Sequence, residues 1–179
     1  MSSRRQALPT NEQMMRSARI CVRTIPLVGD HRVVALYAAI RGEVHLGGLD
    51  AALRGMNVRV CYPRVEGPGL TFHETAYSEL VPAGRFNIPE PPATAALVMP
   101  EQLEALVIPG LAFDKNGHRL GWGAGFYDAL LRRAPRARRI GVCYEFQLVD
   151  EVPHGANDEP VHVVVTDVAT TFAQKERTP

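Results

Sequence analysis

The chain has 179 residues, 46% hydrophobic and 22% charged, with a net charge of +1. That length can bury a core within one domain, the composition excludes a disordered chain, and the near-neutral balance excludes a broad basic field for nucleic acid. All but two of the twenty basic residues are arginine, the exceptions being Lys115 and Lys175. The opening MSSRRQALPTNEQ lacks the apolar stretch of a secretory signal, and the longest apolar run, Val33 to Ile40, is far shorter than the ~20 residues of a membrane span. Cys21, Cys61 and Cys143 are odd in number and lack a CxxC pair, so they predict three reduced, buried thiols rather than a disulfide framework or a thiolate zinc site. These features predict a cytoplasmic monomer without a membrane or nucleic-acid partner.

In chain order, Thr10 followed by Gln13 has the pattern of a capping box, and Met14, Ala18, Cys21 or Val22, and Ile25 recur at helical spacing until Pro26, where the helix is expected to stop. VVALYAAI (33–40) predicts a strand, and a helix through Leu49, Ala52 and Leu53 follows, ending near Gly55. NVRVCYP (57–63) reads as a second strand, LTFHETAYSEL (70–80) as a strand at or near a sheet edge, and AGRFNIPEPPATA (83–95) as irregular. ALVIPG (105–110) is a third buried strand, GFYDALLRRA (125–134) a helix halted before Pro135, RRIGVCY (138–144) a fourth strand and PVHVVVTDV (160–168) the last. Short continuous apolar strands alternating with helices predict an α/β fold, a mostly parallel central sheet covered on both faces. One domain over 1–179 is expected, with a flexible tail from about 172.

The densest chemistry lies in RLGWGAGFYD (119–128), where Gly121, Gly123 and Gly125 bare the backbone just after a strand end and just before a helix. Ligands in open α/β sheets sit outside the carboxyl ends of strands, and free N–H groups at a helix start favour anions. Two readings are open: a phosphate cradle and a tight structural turn. The stretch is neither G-x-x-x-x-G-K-[ST] nor G-x-G-x-x-G. Asp128 either stabilises the helix start through its dipole or holds Mg2+ beside a polyphosphate.

These residues also carry a resemblance. PGLAFDKNGHRLGWGAGFYD (109–128) resembles the signature segment of the 5-formyltetrahydrofolate cyclo-ligase family. RGEVHLGGL (41–49), GRFNIPEP (84–91) and VPHGANDEPVHVVVTD (152–167) are similar to three further segments, so the resemblance runs from about Arg4 to Asp167. It implies a three-layer α/β sandwich related in topology to ribose-5-phosphate isomerase and coenzyme A transferases. It further implies conversion of 5-formyltetrahydrofolate, possibly polyglutamylated, to 5,10-methenyltetrahydrofolate, with MgATP consumed and ADP and phosphate released. By resemblance, Arg119, Leu120, Gly121, Trp122, Gly123, Ala124, Gly125, Phe126 and Tyr127 wrap ATP. Glu43 and Trp122 through Phe126 meet the folate, and Asp128 and Asp158 hold Mg2+. The chemistry asks for positioning and charge neutralisation more than for a nucleophilic side chain, and no catalytic residue is singled out. The family's usual N-terminal Lys and Arg segment is expected to precede Arg4; the lack of a matching Lys ahead of Arg4 motivates a second reading, a folate- or nucleotide-binding paralogue without ligase activity.

The remaining polar residues have plainer readings. The six histidines form no HxH or HxxxH pair and predict no metal site. Asp114 to Asn116 read as a turn, with a phosphate contact from Lys115 as the alternative, and Glu90 as a residue pinning its loop. RRAPRARR (132–139) reads as a solvated helix end, with binding of a folate glutamate tail as the alternative.

Overall fold

The computed structural model describes residues 1–67, 69–83, 88–123, 125–155 and 158–173. In chain order the elements are α1 (Ser2–Gln6), α2 (Thr10–Val28), β1 (Val33–Ala35), α3 (Gly47–Gly55), β2 (Arg59–Glu66), β3 (Gly69–Glu74), β4 (Val81–Ala83) and β5 (Ile88–Glu90). There follow β6 (Ala96–Val98), β7 (Ala105–Pro109), β8 (Ala112–Phe113), β9 (Arg119–Leu120), α4 (Phe126–Arg133), β10 (Arg138–Val142), β11 (Val163–Val165) and β12 (Thr170–Phe172). Eight strands form one sheet in the order β12-β11-β10-β7-β1-β2-β3-β6. The five from β11 to β2 are mutually parallel, and antiparallel strands close both edges.

Alternate side chains of the parallel strands enter opposite cores, which is why their sequences are continuously apolar. Val34, Val60, Val107, Ile140 and Val163 pack with Ile20, Leu49 and Leu53 from α2 and α3 on one face. Val33, Cys61, Leu106, Ile108 and Val164 pack with Phe113, Leu130 and Leu131, the last two from α4, on the other. The sheet is therefore the middle of three layers, as the apolar runs predict.

Several local expectations are corrected. The N-cap of α2 is Pro9 rather than Thr10, and Gln13 turns back to donate to Leu8 O at 2.9 Å, so no capping box forms. The helix passes Pro26 and ends at Val28, because in the last turn a missing N–H removes only one intrahelical bond. Its buried stripe is Ser17, Ile20, Cys21, Thr24 and Val28, leaving Met14 and Val22 exposed. Ser17 and Thr24 tolerate burial because their hydroxyls are bonded: Ser17 Oγ accepts His45 N–H at 3.0 Å, and Thr24 Oγ1 donates to Ile20 O at 2.7 Å. The 83–95 stretch holds regular structure after all, since Ile88–Glu90 pairs antiparallel with Val81–Ala83 in a ribbon where Pro82 faces Pro89. Residues 84–87, and with them Arg85 of the GRFNIPEP segment, lie outside the described residues. Phe172, the first residue assigned to the tail, belongs to β12, and 174–179 lie outside the described residues.

Candidate active site

The chain leaves β1 through α3 toward β2, whereas it leaves β7 in the opposite direction, through α4 toward β10. Adjacent parallel strands with opposite crossovers leave a crevice at their carboxyl ends, the usual ligand position in such sheets. Here it is a cavity of about 580 Å³. Tyr37, Arg41 and Glu43 line it from beyond β1, Pro109 and Gly110 from β7, and Pro153 and Asp158 from the last long loop. VVALYAAI is strand only through Ala35 because the chain must part from β7 here, although Leu36, Tyr37 and Ala38 remain buried.

The glycine stretch forms the facing wall. Arg119, Leu120, Gly121, Trp122, Gly123, Gly125, Phe126, Tyr127 and Asp128 all line the cavity; Ala124 lies outside the described residues. Gly123 and Gly125 have φ of +84° and +66°, and Gly125 is the N-cap of α4. The first-turn N–H groups of α4 have no intrahelical acceptor, so the wall presents free donors and a positive dipole end. A Cβ on Gly121 would lie 2.5 Å from Arg119 Nη1, so that glycine makes room for a guanidinium. Arg119 Nη2 donates to both oxygens of Asp128, at 3.2 and 3.3 Å, and its guanidinium carbon lies 5.4 Å from the Tyr127 ring centroid. Burial, reinforced by the charge of Glu43, pushes the Tyr127 phenol well up, which keeps it a neutral donor.

Glu43 closes a tight turn opposite this wall. Its N–H donates to Ile40 O at 2.9 Å and its Oε2 accepts Ile40 N–H at 3.2 Å, with Arg41 and Gly42 at φ of +49° and +73°. Burial raises the Glu43 carboxyl above the ordinary range, opposed by the Ile40 N–H, the charge of Arg5, the Trp122 indole and the charge of Arg41. The Arg41 guanidinium lies 4.9 Å from the ring centroid of Trp122, which stands half exposed at the cavity rim.

Among the described residues no three His, Cys, Asp or Glu side chains gather as a metal cluster. The cavity does hold two candidate carboxylates, Asp128 and Asp158, the second accepting Gly155 N–H at 2.8 Å. Asp128, whose two oxygens accept Arg119 Nη2, and Asp158 are hard oxygen donors of the kind that suits Mg2+, which takes few protein ligands and keeps water or phosphate oxygens in the rest of its shell. The plainer candidates stay off the wall. Lys115 sits in a turn built on Asp114, whose carboxylate accepts the N–H groups of Asn116, His118 and Val152. Burial alone would raise Asp114; these bonds and the His118 side chain outweigh it and hold the carboxyl low. Glu90 lines the cavity and accepts Val65 N–H at 3.2 Å, tying its ribbon to β2. From the basic run, Arg139 is buried and bonded to Glu159, away from the cavity.

A family model described as the 5-formyltetrahydrofolate cyclo-ligase family matches residues 1–167. The chain belongs to that family. It is 33% identical over 172 residues to a 5-formyltetrahydrofolate cyclo-ligase of Escherichia coli K12, covering 91% of this chain and 94% of that protein. It is 26% identical over 170 residues to the Saccharomyces cerevisiae protein of the same name, covering 80% of each. The structure of Aquifex aeolicus 5,10-methenyltetrahydrofolate synthetase superposes with a TM-score of 0.85 at 32% identity, over 99% of this chain and 91% of that one. In this cyclo-ligase-family chain, the cavity residues that sequence reading did not single out are chiefly Tyr37 and Arg41. Both follow an apolar strand at its carboxyl end, which was the available signal.

Proposed function

We propose that the chain catalyses ATP- and Mg2+-dependent conversion of 5-formyltetrahydrofolate to 5,10-methenyltetrahydrofolate, releasing ADP and phosphate. The observation that carries this is one cavity at the β1/β7 crevice with the glycine wall on one side and Glu43 on the other. The wall supports a polyphosphate reading: the backbone donors around Gly123 and the start of α4 receive the γ-phosphate, and Arg119 offsets its charge. Asp128 and Asp158 would hold Mg2+, which neutralises phosphate charge when bound. Glu43, as a carboxylate, accepts hydrogen bonds from pterin N–H groups and orients the formyl group toward the wall.

With both reactants so held, the formyl oxygen attacks the γ-phosphorus and ADP leaves. Nitrogen 10 then attacks the formyl carbon and loses its proton, and phosphate departs carrying the former formyl oxygen. Positioning of the two reactants in one cavity supplies most of what this sequence requires.

The purified protein, given MgATP and 5-formyltetrahydrofolate, should form methenyltetrahydrofolate, read by its absorbance, with one ADP per product. Folate bound in calorimetry without turnover would refute the ligase reading. Asp128→Asn should lower turnover about tenfold or more, the loss of one charge-assisted contact, and raise the Mg2+ needed for half-maximal rate.

A further inference from the structure

Arg5 is a buried charge that stability alone does not explain. It lies in α1 at 1% exposure, does not line the cavity, and reaches two groups that do. Its Nη1 donates to Gly110 O at 3.2 Å, at the end of β7, and lies 3.9 Å from Glu43 Oε1. Its backbone is fixed as well: Gln13 Nε2 donates to Arg5 O at 3.3 Å, and a Cβ on Gly42 would come within 3.2 Å of Arg5 C and O. Gly110 O does not depend on Arg5, because Gln147 Nε2 also donates to it at 3.0 Å. The Nε and Nη2 of Arg5 find no partner among the described residues. A buried guanidinium with two unpaired donors costs folding free energy that an apolar side chain of similar volume would not.

We infer that Arg5 is a positioning residue for the folate site, holding the Glu43 carboxylate ionised and fixed across the carboxyl ends of β1 and β7. This deepens the proposed function and rests on Glu43 receiving the pterin. The groups facing Glu43 are Arg5 from α1, Arg41 in its own turn, the Tyr37 phenol after β1, and Tyr127 and Trp122 from the facing wall. Burial pushes both phenols up, so they carry no charge, and Tyr37 donates to Val44 O at 2.9 Å. Arg41 is exposed and screened by solvent, whereas Arg5 is buried and acts through little solvent. Without Arg5, only the Ile40 N–H, Trp122 and Arg41 oppose burial, and the balance shifts toward a protonated Glu43, which loses acceptor capacity toward pterin N–H groups.

The test is the pH dependence of folate KM in Arg5→Met, Arg5→Gln and Arg5→Lys. Arg5→Met and Arg5→Gln should raise folate KM roughly tenfold at the acid end of the pH range in which the protein stays folded, converging on wild type as pH rises. Turnover at saturating folate and the KM for ATP should stay within about twofold of wild type, and Arg5→Lys should recover most of the folate affinity. In a Glu43→Gln background, Arg5→Gln should add no further pH dependence. A folate KM equal to wild type at every pH, or raised by one factor at every pH, would overturn the inference, as would a change confined to ATP. If wild type shows no turnover, the functional reading fails instead, and calorimetric binding of 5-formyltetrahydrofolate to the same variants still decides the role of Arg5.

Discussion

Glu43 is held between opposing influences: burial favours its protonated form, while the Ile40 N–H and the guanidiniums of Arg5 and Arg41 favour its charge, and burial prevails. Two measurable consequences follow. On the proposed role of Glu43 as acceptor of pterin N–H groups, wild-type folate affinity should weaken as pH falls toward the Glu43 value. Glu43→Gln should abolish that pH dependence while raising folate KM about tenfold, read from initial rates across pH. A carboxyl that binds its proton more tightly folded than unfolded contributes stability present below its unfolded value and lost as pH rises through its folded value. The thermal midpoint of Glu43→Gln should therefore gain on wild type as pH rises from about 4 to 7; the trend is the readout, since the variant also leaves Arg5 without its partner. An acid at position 43 was singled out in RGEVHLGGL through resemblance. The effect of Arg5 on it was not, because their contact joins segments whose approach depends on where α1 settles against β7.

At the scale of elements, the three glycines of the loop after β9 serve different ends. Gly121 leaves space for Arg119, whereas a Cβ on Gly123 or Gly125 would meet nothing within 4 Å, so these two answer to backbone conformation. Gly125→Ala, strained at φ of +66°, should cost about 1 kcal/mol and lower the thermal midpoint by about 2–4 °C, seen in a melt followed by circular dichroism. Gly123→Val adds a branched side chain facing the cavity and should raise ATP KM about tenfold or more with the fold retained. A wild-type ATP KM in Gly123→Val would refute the nucleotide cradle. The glycine spacing itself was plain in the sequence. The cap of α2 and the short strands were not: Thr10 and Gln13 matched a capping pattern that the chain does not use, and β4, β5 and β6 are three residues each, too short for periodicity to register.

For the whole molecule, both apolar clusters share the same strands, so neither layer can open without exposing the sheet, and the 1–179 chain is expected to melt in one transition. Cys21, Cys61 and Cys143 are free and buried, and burial pushes all three thiols up, Cys61 to about 12. A thiol reagent should leave the folded protein unmodified and label all three cysteines over the same denaturant range in which helix signal is lost; labelling in native buffer would contradict this packing. The sequence by itself determined the layering, because continuous apolar runs flanked by amphipathic helices can be covered only on both faces of a parallel sheet. It also determined the glycine wall, because a bare backbone before a helix is a local property. Only the tertiary structure decided which strands adjoin. The β1/β7 crevice, the facing of Glu43 with the glycine wall and the burial of Arg5 all depend on pairing between distant segments, and strand order is set by the packing of the whole chain rather than by any local pattern.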